Sequence, residues 1–114
     1  MRKSFQYAGE GLAWAFHNHR NFRIYVGIGI VATVLASFLG VSKTEFIIVL
    51  FTIAFCLIAE LLNTAVEEIT DLITIKWSHQ AKIAKDVGAS LSLIAAATAV
   101  IIGILIFTPY FVRL

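Results

Sequence analysis

The segment Glu60-Leu61-Leu62-Asn63-Thr64-Ala65-Val66-Glu67-Glu68-Ile69-Thr70-Asp71 holds the side chains best suited to chemistry. On a helix turning about 100° per residue, with Glu60 at zero, Asn63 falls at about −60°, Glu67 at about −20° and Asp71 at about +20°. Four polar groups therefore share one stripe, while Glu68 points away. An apolar run precedes Glu60, which places its carboxyl within a turn of a hydrocarbon edge and Glu67 about 10 Å further along. An acid at that depth is costly unless it pairs or works. One carboxylate at a lipid boundary and another near water suit one group acting on a lipid headgroup and one acting on a soluble cation. Lys82, Lys85 and Asp86 follow, just ahead of the next apolar run. Lysine is a suitable point charge for phosphate, and an acid beside it can orient it or touch a metal.

These residues need a membrane scaffold. The 114 residues are 60% hydrophobic and only 14% charged, against about 25% charged in an average soluble domain. So small a chain exposes much of its surface, so this balance excludes a soluble enzyme and, from the other side, a disordered chain. The single cysteine, Cys56, lies in an apolar run and excludes an internal disulfide or a cysteine zinc cluster. A net charge of +2 is too weak to imply nucleic acid. The expected fold is an all-α integral membrane protein forming a single domain over 1–114. Apolar spans at 24–40, 46–62 and 87–107 are each long enough to cross about 30 Å of hydrocarbon. The first lies too far from the N-terminus to read as a signal peptide. No helix breaker interrupts 60–71, so the second span should continue past the membrane as one long helix.

Seven of the nine basic residues, Arg2, Lys3, Arg20, Arg23, Lys76, Lys82 and Lys85, precede the first span or lie between the second and third. This puts the N-terminus and the second loop in the cytoplasm. Val41–Thr44 then forms a short outer turn, and Pro109 is expected to close the third helix. Residues 1–20 form a separate element. Phe5, Ala8, Leu12 and Phe16 recur at helical spacing, as for a helix lying on the interface. Rows of small residues (Ala32, Ala36, Gly40; Gly88, Ser92, Ala96; Ala99, Gly103) let helix backbones approach closely in lipid. Three short helices can hardly enclose their polar groups alone, which points to a homo-oligomer. Phosphate-loop and dinucleotide signatures are absent, Gly9-Glu10-Gly11 being too short. Composition and spacing reach a three-span membrane protein with an acidic cytoplasmic interface site.

At Glu60-Leu61-Leu62-Asn63-Thr64-Ala65-Val66-Glu67, Asp71 and Ala84-Lys85-Asp86, the chain resembles the small prokaryotic diacylglycerol kinase family, and in detail its undecaprenol kinase-like branch. The resemblance covers nearly the whole chain. It implies a homotrimer with an interfacial helix and three transmembrane helices per subunit, embedded in the bacterial inner (cytoplasmic) membrane. It also implies use of ATP with Mg2+ to phosphorylate a lipid hydroxyl. By that resemblance Glu60 is the general base, Asn63 orients Glu60 or the lipid headgroup, and Glu67 is a metal ligand of the nucleotide site. Lys85, on phosphate, and Asp86 belong to that site. Tyr7 is a nucleotide contact from the surface helix, and Lys76-Trp77-Ser78 match a loop touching the nucleotide. Where relatives usually carry a second metal-binding Glu, this chain has His19, which leaves that ligand in question.

The position of Glu60 agrees with this independently: a hydroxyl anchored at the lipid–water boundary can be met only by a base at that depth. Undecaprenol is the expected acceptor, with diacylglycerol the alternative. A small proton-coupled transporter is a more distant alternative, since it should carry its acid nearer the bilayer centre.

Overall fold

A computed structural model describes residues 2–114, and within them every regular element is helical: α1 (Arg2–Asn18), α2 (Arg20–Leu39), α3 (Lys43–Ile73) and α4 (His79–Arg113). The last three are long and apolar enough to cross a membrane. At 1.5 Å per residue, α3 and α4 measure about 46 and about 52 Å, well beyond the hydrocarbon thickness. The continuation of the second span as one helix past Glu60 is thus observed.

Local chemistry sets the boundaries. Gly40 terminates α2 in the left-handed conformation at φ 67°, and the N–H groups of Gly40 and Val41 return to the carbonyls of Ser37 and Ala36. Ser42 then caps α3: its hydroxyl accepts from the Glu45 N–H and the Glu45 carboxylate accepts from the Ser42 N–H, both at 3.1 Å. The connection between α2 and α3 is therefore only Gly40–Ser42, shorter than the expected Val41–Thr44. Gly40 belongs to that turn and not to a packing row. Pro109 does not end α4, which continues to Arg113. Proline removes one N–H near the helix end, and the Tyr110 hydroxyl donates to Glu45 across the pair, holding the last turn against α3.

The most enclosed positions are held by small residues, Ala15, Ala36 and Ala95, with Phe22 and Ile106 the large side chains that are buried, while Phe38, Phe51 and Leu105 are largely exposed. That inversion suits helices whose outer faces meet lipid or other subunits. A Cβ on Gly29 would lie 2.8 Å from the Ile53 side chain, so α2 and α3 touch where only glycine fits. Gly88 does the same for α4 against α3, its added Cβ falling 2.8 Å from Asn63 Oδ1 and 3.2 Å from Val66. Cys56 is buried, its thiol 3.5 Å from the Ala95 carbonyl. Helix α1 packs on α2 through Ala15, with Phe5, Leu12 and Phe16 uncovered. Arg23 joins the two by donating to the carbonyls of Phe16 and His17, at 2.9 and 3.1 Å, satisfying orphan groups at the end of α1.

Candidate active site

The polar stripe of α3 faces α4 along its inner half. Glu60 is 3% exposed and accepts a 2.6 Å hydrogen bond from the Ser92 hydroxyl at Oε2. One turn further, Asn63 is buried against Gly88, and its Oδ1 has no hydrogen-bond partner among the described residues. Such an atom costs free energy unless something completes it. Thr64 is buried as well, and Glu67 is half-buried on the same side.

Beyond Glu67 the stripe reaches a polar cavity of about 300 Å³ between the end of α3 and the start of α4, lined by Asp71, Lys76, Trp77, Lys82, Lys85 and Asp86 among others. Lys85 donates to Asp71 at 2.7 Å and Lys82 to Asp86 at 2.6 Å. The hydrogen bond to Asp71 holds the Lys85 ammonium above the usual lysine range, with the charges of Asp71 and Glu67 adding to it. Of the three ammonium groups lining the cavity, those of Lys82 and Lys85 are each held by a carboxylate and are about half exposed, free to exchange partners.

Of the predicted nucleotide residues, Lys76, Trp77, Lys85 and Asp86 meet in this cavity; Glu67 does not line it, but its charge acts on Lys85. Ser78 does not line it. Its hydroxyl caps α4 by accepting from the Ala81 N–H at 3.1 Å. Tyr7 lies on α1, 63% exposed, and His19 sits between α1 and α2 with its ring 5.2 Å from that of Trp14. Among the described residues, no three His, Cys, Asp or Glu side chains converge as a cation site. The Ser92 bond to Glu60 and the Asp71–Lys85 pair were missed as contacts. Ser92 carried a signal only as one of a row of small residues, and Asp71 only as a member of the stripe.

Along the other side of Glu60, towards the outer face, an apolar groove of about 350 Å³ runs between α2, α3 and α4, from Tyr25 and Cys56 to Phe107. Cys56 and Ala96, each one turn outward of Glu60 and Ser92, are in its wall. The arrangement is a buried carboxylate with an apolar groove towards the α2–α3 turn and a charged, lysine-rich cavity towards the α3–α4 loop.

Residues 6–107 match the family described as prokaryotic diacylglycerol kinase. The chain is 40% identical over 93% of its length to a diacylglycerol kinase of Synechocystis, of which it spans only 61%. It is 36% identical to the undecaprenol kinase of Bacillus subtilis, over 94% of this chain and 87% of that one. Against the diacylglycerol kinase of Escherichia coli the identity is 29%, over 96% of this chain and 89% of the other.

Proposed function

The chain is a membrane lipid kinase of the prokaryotic diacylglycerol kinase family, and from that premise we propose that it transfers the γ-phosphoryl group of ATP to the hydroxyl of undecaprenol. The observation that carries the reading is Glu60, a nearly enclosed carboxylate between an apolar groove and a cationic cavity. In the proposed reaction the acceptor hydroxyl meets Glu60 and gives its proton to the carboxylate. Its oxygen bonds to the γ-phosphorus, the bond from that phosphorus to the bridging oxygen breaks, and ADP leaves with that electron pair. Lys85 and Lys82 exchange Asp71 and Asp86 for phosphate oxygens, while Lys76 and Trp77 border the nucleotide. Asn63, one turn along the same stripe, orients Glu60 or the headgroup, as the resemblance implies. Tyr7 and Ser78 complete the nucleotide contacts implied by resemblance.

The donor set suits Mg2+. Glu67 makes no ion pair among the described residues, and Mg2+ is commonly bound by one or two carboxylates together with substrate phosphates and water. When bound it would neutralise charge on the transferring phosphates. His19 is the second, weaker candidate ligand, its nitrogen being a poorer match for Mg2+ than an oxygen. A homotrimer in the bacterial inner membrane, with the site in the cytoplasmic leaflet, is part of the same reading. Its support is that one chain gathers so few metal ligands and leaves so much apolar surface.

The match to the Bacillus subtilis undecaprenol kinase over most of both chains favours the polyprenol. Diacylglycerol is the second reading, favoured by the 40% identity to the Synechocystis protein. Initial rates of purified protein with labelled ATP against undecaprenol and dioctanoylglycerol test the choice. A higher kcat/KM for undecaprenol is expected, and a clear preference for diacylglycerol would overturn it.

A further inference from the structure

Ser92 departs from a habit that the neighbouring hydroxyls share. Thr33, Ser37, Thr52, Thr70 and Thr98 each donate to the carbonyl four residues back in their own helix, and Ser90 donates to Val87 three back. This is the ordinary way to satisfy a hydroxyl in an apolar helix. Ser92 has the same option and instead crosses to α3, reaching Glu60 Oε2 at 2.6 Å. The close approach of α4 to α3 at Gly88, one turn earlier, makes that reach possible.

The consequence lies in what is left for the other oxygen. No described residue donates to Glu60 Oε1. The terminal torsion of a glutamate is broad and two-fold, so an untethered carboxylate would present either oxygen at a range of angles. A hydroxyl donor on Oε2 fixes the plane and singles out Oε1. The tether also survives the reaction: once Oε1 carries a proton, Oε2 is the carbonyl oxygen and still accepts. The other titratable groups around Glu60 are the Tyr25 phenol on α2 and the Cys56 thiol on α3, and neither donates to it.

Resting on the reading of Glu60 as the base, we propose that Ser92 is a positioning residue for the phosphoryl transfer. It holds Oε2 so that Oε1 faces the acceptor hydroxyl and receives its proton. It touches neither substrate nor nucleotide and acts through Glu60 alone.

The test uses full-length protein in detergent–lipid micelles with Mg-ATP and whichever of undecaprenol and dioctanoylglycerol the wild type phosphorylates faster. Ser92→Ala should lower kcat about tenfold, the scale of a misaligned catalytic group. The KM values for ATP and lipid should stay within about twofold, and the melting midpoint should be unchanged. Ser92→Thr, which keeps the donor, should recover most of that loss. A kcat within about threefold of wild type overturns the proposal, as does a loss expressed in KM instead, or a Ser92→Thr enzyme no faster than Ser92→Ala. Glu60→Gln, assayed alongside, separates the two readings. If it retains more than about a third of wild-type turnover, the base assignment itself fails. If it is inactive while Ser92→Ala is normal, only the positioning role fails.

Discussion

The Lys85 ammonium donates to Asp71 Oδ1 at 2.7 Å, tying the second turn of α4 to the last turn of α3. On the proposed reading, phosphate has to compete with Asp71 for that ammonium. Both groups are about half exposed, so solvent screens the pair and it holds only weakly. Asp71→Asn should therefore lower the KM for ATP about two- to fivefold at low salt, with the difference fading as ionic strength rises. A KM that rises instead would make Asp71 an aligner of Lys85. Because Asp71 holds the Lys85 pKa above its ordinary value, the pair stays intact below that value and is lost only as pH climbs through the raised one. ATP affinity should accordingly show no Lys85-linked decline between about pH 7 and 9.

Glu60→Gln keeps the shape and hydrogen-bonding reach of the side chain but cannot take a proton. Turnover should fall by about 10²–10⁴, while equilibrium binding of ATP stays near wild type. Parallel measurement of rate and nucleotide binding distinguishes this from misfolding.

Glu67→Ala strips an oxygen from the proposed metal environment and leaves the base in place. Rate against Mg2+ at fixed ATP should shift to higher metal concentration with the plateau largely preserved. An unchanged metal dependence would return Glu67 to a structural role.

His19→Glu should lower the Mg2+ concentration for half-maximal rate, because a carboxylate suits Mg2+ better than imidazole. The wild type should be relatively more active with Mn2+ than the variant. Identical titration curves would confine His19 to its packing against Trp14.

Gly29→Ala introduces a Cβ 2.8 Å from the β-branched Ile53, whose χ1 has little freedom in a helix. A loss of about 1–3 kcal/mol in stability is expected, read as a lowered melting midpoint in detergent. Gly27→Ala, two residues away with nothing within 4 Å of the added carbon, is the control and should not destabilise.

The acidic stripe was legible because Glu60, Asn63, Glu67 and Asp71 lie on one helix, and helical periodicity alone groups them. The pairings of that stripe were not legible. Asp71 meeting Lys85 and Glu60 meeting Ser92 depend on how far α4 slides along α3, which is set by the seating of Gly88 against Asn63 and Val66. No local pattern encodes that register. Gly40 and Pro109 misled in the same way. Each has a strong local meaning, but the chain uses Gly40 to end a helix and lets Tyr110 carry α4 through the proline. Ser78 also caps α4 with its hydroxyl oxygen, a local role that its place in the loop did not announce.

Among the described residues, three bonds between side chains stitch α3 to α4 along their length: Tyr110 to Glu45 at the end near the α2–α3 turn, Ser92 to Glu60 midway, and Lys85 to Asp71 at the opposite end. Sliding one helix past the other by a turn would break all three together. The pair therefore acts as a graduated rod, with Glu60 at a fixed mark between its ends. In a bilayer of different thickness such a rod adjusts by tilting as a unit. On the proposed reading of Glu60, the depth at which a lipid hydroxyl is met would then follow the leaflet's thickness through that tilt.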